Sequence, residues 1–338
     1  MDRRPWTDPM SYPAVDIIIV NWNAGKQLRD CLDSIAAARR DRYELSRVVV
    51  VDNASSDLSA NGLRMSEIPF IVVSNRENRG FAAACNQGIR DSSADYVLLL
   101  NPDTRVFEDS LSKCIEFLSR PENSGIGIVG PQLLDARGYV ARSCARFPSL
   151  QTFVVKVFAL DRVFPVRFPD HFLTEWDHAN NRDVDQVIGA FFLVRRKLFN
   201  AVGTLDERFF VYFEELDFTL RAFQAGWRTH YLAEAKAFHK GGGTSEKVKA
   251  RRLYYSLQSR ILYGFKHFGS LRGTVLLLVT AFVEPISRLA LACARFSIAE
   301  MVETLHAYAL FFAALPSTLK SSFFNSGTPS TVSSESVA

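Results

Sequence analysis

The chain has 338 residues, 48% hydrophobic and 22% charged, with a formal net charge of +4. That length suits one large domain, or one domain with an appendage, and the charge is too mild to argue for nucleic acid. Five cysteines with no C-x-x-C pair argue against a disulfide framework or a structural zinc, and for reduced thiols.

Residues 1–13 are polar and contain prolines, with no apolar stretch of the kind a secretory signal needs, and are expected to be disordered. Strand and helix then alternate. Residues 16–20, 48–51, 71–73 and 97–100 read as strands. Between them, residues 26–39 carry helical spacing at Leu28, Cys31, Leu32 and Ile35, and residues 81–90 form a second helix. Such alternation predicts a mainly parallel sheet covered by helices on both faces. Each strand runs into polar residues: Asn21-Trp22-Asn23, Asp52-Asn53, Ser74-Asn75 and Asn101-Pro102-Asp103. Open α/β sheets bind ligands at the carboxyl ends of their strands, so four polar ends describe a crevice. The run Gly125-Ile126-Gly127-Ile128-Val129-Gly130 matches a dinucleotide fingerprint in spelling only. It follows a helical segment and runs into Pro131, where the fingerprint needs a strand before it and a helix after it.

From 142 to 183 prolines and aromatics interrupt the pattern, which predicts a long functional excursion over the sheet. Residues 187–194 read as another strand, and 215–225 as a helix stopped by Gly226. Residues 246–268 are helical, with Leu253, Leu257, Ile261 and Phe265 on one stripe and basic residues around the rest. The apolar stretch 273–283 is shorter than the roughly 20 residues a clean membrane span needs. A second amphipathic stretch follows at 286–315, and the Ser-rich tail 316–338 is expected to be disordered. Two readings of the helices stay open: a surface lying on an anionic leaflet, or a plain subdomain packed on the rest.

Four constellations can carry chemistry. Asp103, with Asn101, puts a hard oxygen donor at a strand end, suited to Mg²⁺ or Mn²⁺ carrying a phosphate. His239 is a candidate second ligand, followed by Gly241-Gly242-Gly243, which lets backbone approach phosphate oxygens but lacks a P-loop ending. The acidic run Glu214-Glu215-Leu216-Asp217 follows an aromatic run, so a carboxylate there with apolar walls would titrate near neutral pH. Arg79 and Gly80, before the helix carrying Asn86, offer a helix N-terminus to a diphosphate. Each has a bland alternative: a turn with a capping Asp, a structural His, acids answering the helix dipole, and an ordinary loop-to-helix junction.

Six stretches in order resemble the inverting family 2 glycosyltransferases of GT-A fold, in particular the rhamnosyltransferase group of bacterial surface polysaccharide synthesis. They are V-D-I-I-I-V-N-W-N from Val15, V-V-V-V-D-N-A-S-S-D from Val48, E-N-R-G-F-A-A-A-C-N-Q-G-I from Glu77, L-L-L-N-P-D-T from Leu98, G-A-F-F-L-V-R-R from Gly189, and L-D-E-R-F-F-V-Y-F-E-E-L-D-F from Leu205. The resemblance implies a GT-A domain over 14–245, a Rossmann-like mainly parallel mixed sheet, with 142–183 as acceptor loop and lid. It implies membrane-associating amphipathic helices over 246–315. Asn21, Asn23, Asp52, Asn53, Arg79, Gly80, Asn86 and Asn101 would hold the nucleotide-sugar, and Asp103 and His239 the Mg²⁺ or Mn²⁺. Glu215 would be the base, with Glu214 as the alternative, and Gly189, Ala190, Glu214 and Asp217 would meet the acceptor. Asn101 stands where the family's D-x-D has its first acid, and Glu215 where relatives usually carry Asp. The implied activity is metal-dependent inverting transfer of L-rhamnose from dTDP-L-rhamnose to a polyprenyl-diphosphate-linked saccharide acceptor. A UDP-sugar donor or a non-catalytic nucleotide-sugar-binding scaffold is the alternative. The implied setting is the inner, cytoplasmic face of a bacterial plasma membrane, without nucleic acid and with room for a homo-oligomer.

Overall fold

The computed structural model describes residues 12–241 and 248–324. The N-terminal expectation at 1–11, the glycine-rich stretch at 242–247 with the 245/246 boundary, and the tail from 325 lie outside the described residues. β1 (Ala14–Asn21) is buried along nearly all its length. Successive strand side chains point to opposite faces, so a continuous apolar run needs a core on each side. Ile17 and Ile19 enter one core with Leu98 and Leu100, while Ile18 and Val20 enter the other with Val49 and Leu99.

Along the chain follow α1 (Lys26–Ala37), β2 (Glu44–Asp52), β3 (Phe70–Ser74), α2 (Phe81–Arg90), β4 (Tyr96–Leu100), β5 (Thr104–Val106), α3 (Ser110–Ser119) and β6 (Ile126–Leu134). Helices α1 and α3 fill the first core. After β7 (Cys144–Ala145), α4 (Leu150–Val157), α5 (Leu160–Val163), β8 (Arg182–Val184) and β9 (Gln186–Val187) come β10 (Phe191–Arg195), α6 (Arg196–Val202), α7 (Glu214–Gln224) and β11 (Arg228–His239). Helices α2, α6 and α7 fill the second core. The main sheet runs β3-β2-β1-β4-β10-β6-β11-β5, with β8 on β11. Strands β3, β2, β1 and β4 are parallel, β10 joins β4 antiparallel, and β6 pairs parallel with β11. The sheet is therefore mixed, with its parallel half at the N-terminal end. The false dinucleotide motif is β6 itself, with Pro131 inside it.

Three expectations change. The strand expected at 187–194 is two strands, β9 and β10, because the backbone between them turns: the Ile188 N–H goes to the Ser143 carbonyl, while the Ala190 carbonyl accepts from the Asn101 N–H. The excursion at 142–183 carries two helices and β7, which pairs with β9 just beyond it in a small second sheet. Its Trp176 and His178 rings stack, and both meet Tyr231 of β11 edge to face. Residues 316–324 are helical. They end α10 (Ile298–Phe324), held where Thr318 is buried and its hydroxyl accepts from Gln258 at 3.1 Å.

The C-terminal helices begin with α8 (Lys249–Leu278), broken in direction at Gly269, whose φ is 80°. A π-helical turn leads into α9 (Glu284–Ala294) and then α10. Leu257 and Ile261 of the expected stripe join a third core with Phe209, Leu216, Leu276 and Phe311. Other apolar side chains of this region are exposed, among them Leu271, Phe282, Ile286, Phe296 and Ile298. Two helical stretches, Lys249–Ala294 and Ile298–Ser322, are long and apolar enough to cross a membrane, although residues 273–283 alone are too short. These helices are apolar enough to associate with a bilayer.

Helix α2 lies so close to β1 that a Cβ on Gly88 would sit 2.6 Å from Ile18 Cγ2. Alanine in place of a helical glycine ordinarily stabilises by about 1 kcal/mol. Here the neighbour is a stiff β-branched side chain on a buried strand, and overpacking costs about 1–3 kcal/mol. Gly88→Ala is expected to lower stability in urea denaturation; a rise would show that the contact relaxes at no cost.

Candidate active site

The strand ends are shaped by amide networks. Asn21 is fully buried and its amide donates to Asp52 Oδ1 at 2.8 Å, Ser59 Oγ at 2.8 Å and Ser55 Oγ at 3.0 Å. Asn23, with φ of 54°, accepts from the Ser56 and Asp57 N–H groups and so closes the 55–57 turn over β1. Asn53 donates to Asn78 and to the Gly80 carbonyl, and accepts from Asn75 and from the Arg79 N–H. These residues set the crevice walls. Asp52 stays part-exposed with its carboxylate held by Asn21, and Arg79 is exposed at the mouth of α2. Gly80 has no alternative: its φ is 83°, and a Cβ would lie 2.5 Å from the Phe210 carbonyl.

Asn86 is not at the crevice wall. It is buried, and its amide clamps the loop after α6, donating to the Leu205 carbonyl and Glu207 Oε1 and accepting from the Leu205 N–H. It positions α2 against that loop; the sequence could not distinguish this from nucleotide contact.

Asp103 follows β4, and His239 ends β11. The β11–β5 pairing sets His239 opposite Thr104, so His239 Nε2 comes 3.3 Å from Asp103 Oδ1. Two donors on one octahedral ion, each about 2.1 Å from it, lie roughly 3 Å apart. The pair is part-exposed, one hard oxygen and one imidazole nitrogen, and so fits a divalent cation. Among the described residues no third His, Cys, Asp or Glu joins them, so phosphate and water oxygens would complete the shell.

The acidic run opens α7. Before it, Tyr212 and Phe213 both have positive φ, 67° and 70°, a strained approach that only tight surroundings sustain. Glu214 is buried with Oε2 unpartnered. Desolvation, and then the neighbouring Glu215 charge, push its carboxyl well above the usual range. Glu215 is also pushed up by desolvation, partly offset by hydrogen bonds that include one from the Gly189 N–H. The helix dipole favours the ionised forms by about 0.3–1 kcal/mol, and burial outweighs it. Glu215, unlike Glu214, lines a cavity of about 980 Å³ between α4, the 165–175 segment and the C-terminal helices.

Two residues expected at the acceptor serve elsewhere. Ala190 is buried, and its carbonyl holds both the Asn101 N–H at 3.0 Å and Thr104 Oγ1 at 3.2 Å. Asp217 is fully buried and bound by Lys266 at 2.6 Å, His267 at 2.7 Å and Arg221 at 2.9 Å, which hold its carboxyl below the usual range despite desolvation. It ties α7 to α8. Sequence reading missed the far wall of the cavity, where Glu284 is gripped by Arg260 and Arg288. Its signal was the charge inside an otherwise apolar run. His171 in the same cavity is held down to about 4 by burial and by Lys156, so it is neutral at pH 7.

The model of the family "Glycosyl transferase family 2" matches residues 16–203. The chain belongs to this family. Among its relatives is the N-acetylglucosaminyl-diphospho-decaprenol L-rhamnosyltransferase of Mycobacterium tuberculosis, 26% identical over 250 residues, 70% of this chain and 79% of that one. The low-salt glycan biosynthesis hexosyltransferase of Haloferax volcanii is 26% identical over 212 residues, 62% of this chain and 61% of that protein. A Pyrobaculum calidifontis mannosyltransferase solved with GDP-Man and Mn²⁺ superposes with TM-score 0.52 at 18% identity, over 96% of this chain and 92% of that one. GalNAc-T7 solved with UDP, GalNAc and Mn²⁺ gives 0.56 at 14% identity, over 94% of this chain and 59% of that one. These neighbours share the GT-A fold, and the chain is a rhamnosyltransferase-like family 2 enzyme in architecture. Glu215, His239 and all the C-terminal helices lie beyond the matched stretch.

A carboxyl with a raised folded pKa keeps its proton while the unfolded chain loses it at about 4.3. The folded state then binds more protons, and stability falls as pH rises from there towards the folded value. Glu214→Gln, which cannot ionise, is expected to be more stable than the parent at pH 7, with the gap closing near pH 4. Urea titrations at both pH values measure it; a gap independent of pH would remove the desolvation account.

Proposed function

We propose that this enzyme moves a sugar from a nucleotide donor to a polyprenyl-diphosphate-linked saccharide with inversion, and that the donor is dTDP-L-rhamnose. The observation that carries the reading is the short path from base to strand end. The Glu215 carboxyl takes the Gly189 N–H, and the next residue's carbonyl takes the Asn101 N–H. An acceptor in the cavity would thus meet a donor in the crevice across two residues of backbone. The rhamnosyl donor and the lipid carrier rest on similarity to the mycobacterial rhamnosyltransferase and on the exposed apolar helices. A UDP-sugar is the second reading for the donor.

In this mechanism Asp52 and the 21–23 turn grip base and ribose, and the exposed Arg79 side chain receives the diphosphate, because the Phe81 N–H at the start of α2 is already taken by the Phe210 carbonyl. Glu215 accepts the proton of the attacking hydroxyl; its raised pKa makes it an effective base near neutral pH. The acceptor oxygen bonds to the anomeric carbon as the bond to the diphosphate oxygen breaks, and that oxygen keeps the electron pair. A Mg²⁺ or Mn²⁺ held by Asp103 and His239 would supply neutralisation of charge on the departing diphosphate. The 142–183 excursion serves as acceptor wall and water shield, and helices α8 to α10 lie on the cytoplasmic face of the membrane.

Glu215→Gln is expected to retain donor binding and lose transfer by about 10²–10⁴-fold. Steady-state rates with dTDP-rhamnose and N-acetylglucosaminyl-diphospho-polyprenol measure it; a fully active variant would remove Glu215 as base, and a dead Glu214→Gln would move the role by one residue. Asp103→Ala is expected to abolish the Mg²⁺ or Mn²⁺ dependence of dTDP binding in titration calorimetry, and unchanged metal dependence would sink that role.

A further inference from the structure

The cavity that holds Glu215 does not end at its far wall. A second cavity of about 620 Å³ shares Arg162, Phe172, Tyr212, Ser256 and Arg288 with it and continues between α8, α9 and α10. The second cavity is cationic. It adds Lys249, Arg252 and Arg295, against the carboxylates Glu300 and Glu303. Lys249 and Arg295 lie 3.8 Å and 3.4 Å from those carboxylates. Arg162 on α5 and Arg252 on α8 are exposed and, among the described residues, have no ion-pair partner. Arg288 spends its Nε and one terminal nitrogen on Glu284 at 2.8 Å, and its side chain remains 38% exposed at the shared wall. Leu291 of α9 lines the same cavity and is also exposed, as are Phe296, Ile298 and Val302 in the chain that follows.

The order in space is therefore a carboxylate base, then a ring of guanidinium groups, then an exposed apolar surface. We infer that Arg162, Arg252 and Arg288 form a diphosphate subsite that binds the headgroup of a prenyl-diphosphate-linked acceptor. The acceptor's sugar would extend to Glu215 and its chain leave over Leu291 and α10. Guanidinium is well matched to a diphosphate, because its planar fork pairs with two phosphate oxygens and it stays charged at any working pH. A simple anionic leaflet would call for charge spread along the exposed face, whereas here arginines from three helices line a cavity continuous with the one that holds Glu215. The inference rests on the acceptor reading above and deepens it.

The test uses the full chain in detergent, with farnesyl diphosphate as a short soluble probe. Arg162→Gln and Arg252→Gln alter exposed residues on different elements, so loss of fold in one would not compromise the other. Each is expected to weaken farnesyl diphosphate binding about tenfold or more. Each should likewise raise the KM for a polyprenyl-diphosphate-linked sugar, with the KM for the nucleotide-sugar unchanged. Farnesyl diphosphate binding that is the same in parent and variants overturns the subsite. So does a loss confined to phosphatidylglycerol vesicles, which would mark a membrane patch. Transfer to the lipid-linked acceptor with an unaltered KM in both variants also overturns the subsite, and leaves the acceptor reading intact. Arginine-dependent binding of the diphosphate without any transfer to the lipid-linked sugar supports the subsite and removes the acceptor reading.

Discussion

One carbonyl joins the two halves of this site. Ala190 lies at the turn between β9 and β10, and its oxygen accepts both the Asn101 N–H and the Thr104 hydroxyl. Those donors flank Asp103, so the loop that follows β4 is fixed to the loop that precedes β10. The antiparallel entry of β10 beside β4, Phe191 opposite Leu100, makes this possible. In a fully parallel sheet the strand after the excursion would present its other end here. Gly189 would then not reach Glu215, and nothing would link Glu215 to the strand-end aspartate.

A second constraint comes from the charge balance around α7. Two carboxyls at its start are desolvated without counterions, which raises both above the usual carboxylate range. One turn further on, Asp217 is equally buried but surrounded by Lys266, His267 and Arg221. Lys266 also reaches Asp206, which Arg208 holds from the other side. Breaking a buried charge network by removing one partner is far costlier than the network is stabilising, so α8 is fastened to the catalytic domain by a charge it cannot abandon. The C-terminal helices are thus a wall of the site, although the family match ends at residue 203.

The strands and helices of the first hundred residues were legible because their apolar periods are clean, and the crevice was legible because four strands ended in polar residues. The resemblance carried the rest of the fold. Side-chain direction was not legible. Asn86, Ala190 and Asp217 stand in motif positions next to candidate site residues, and the fold uses each to hold loops or helices together. Glu214 and Glu215 differ by one step along a helix, and only the packing decides which of them meets the cavity. The arginine-lined wall was hidden for a different reason: Arg162, Arg260 and Arg288 come from segments far apart in sequence, and nothing in local pattern joins them. The ordered excursion was underestimated because prolines and aromatics break periodicity, and its Trp176 and His178 are anchored by edge-to-face contacts with Tyr231, far away in sequence.

The cysteines divide unequally between the two parts of the molecule. Cys31, Cys85, Cys114 and Cys144 are buried in the catalytic domain, with burial holding their thiols protonated and unreactive. Cys293 alone is exposed, on α9 beside the apolar surface. Thiolate is the reactive species, so a maleimide or a nitroxide reagent offered to the native protein would attach at one position without any engineering. The unmodified chain therefore carries its own single-site reporter at the point where helix and bilayer would meet. The depth and polarity of that point can be read spectroscopically while the catalytic machinery is left untouched.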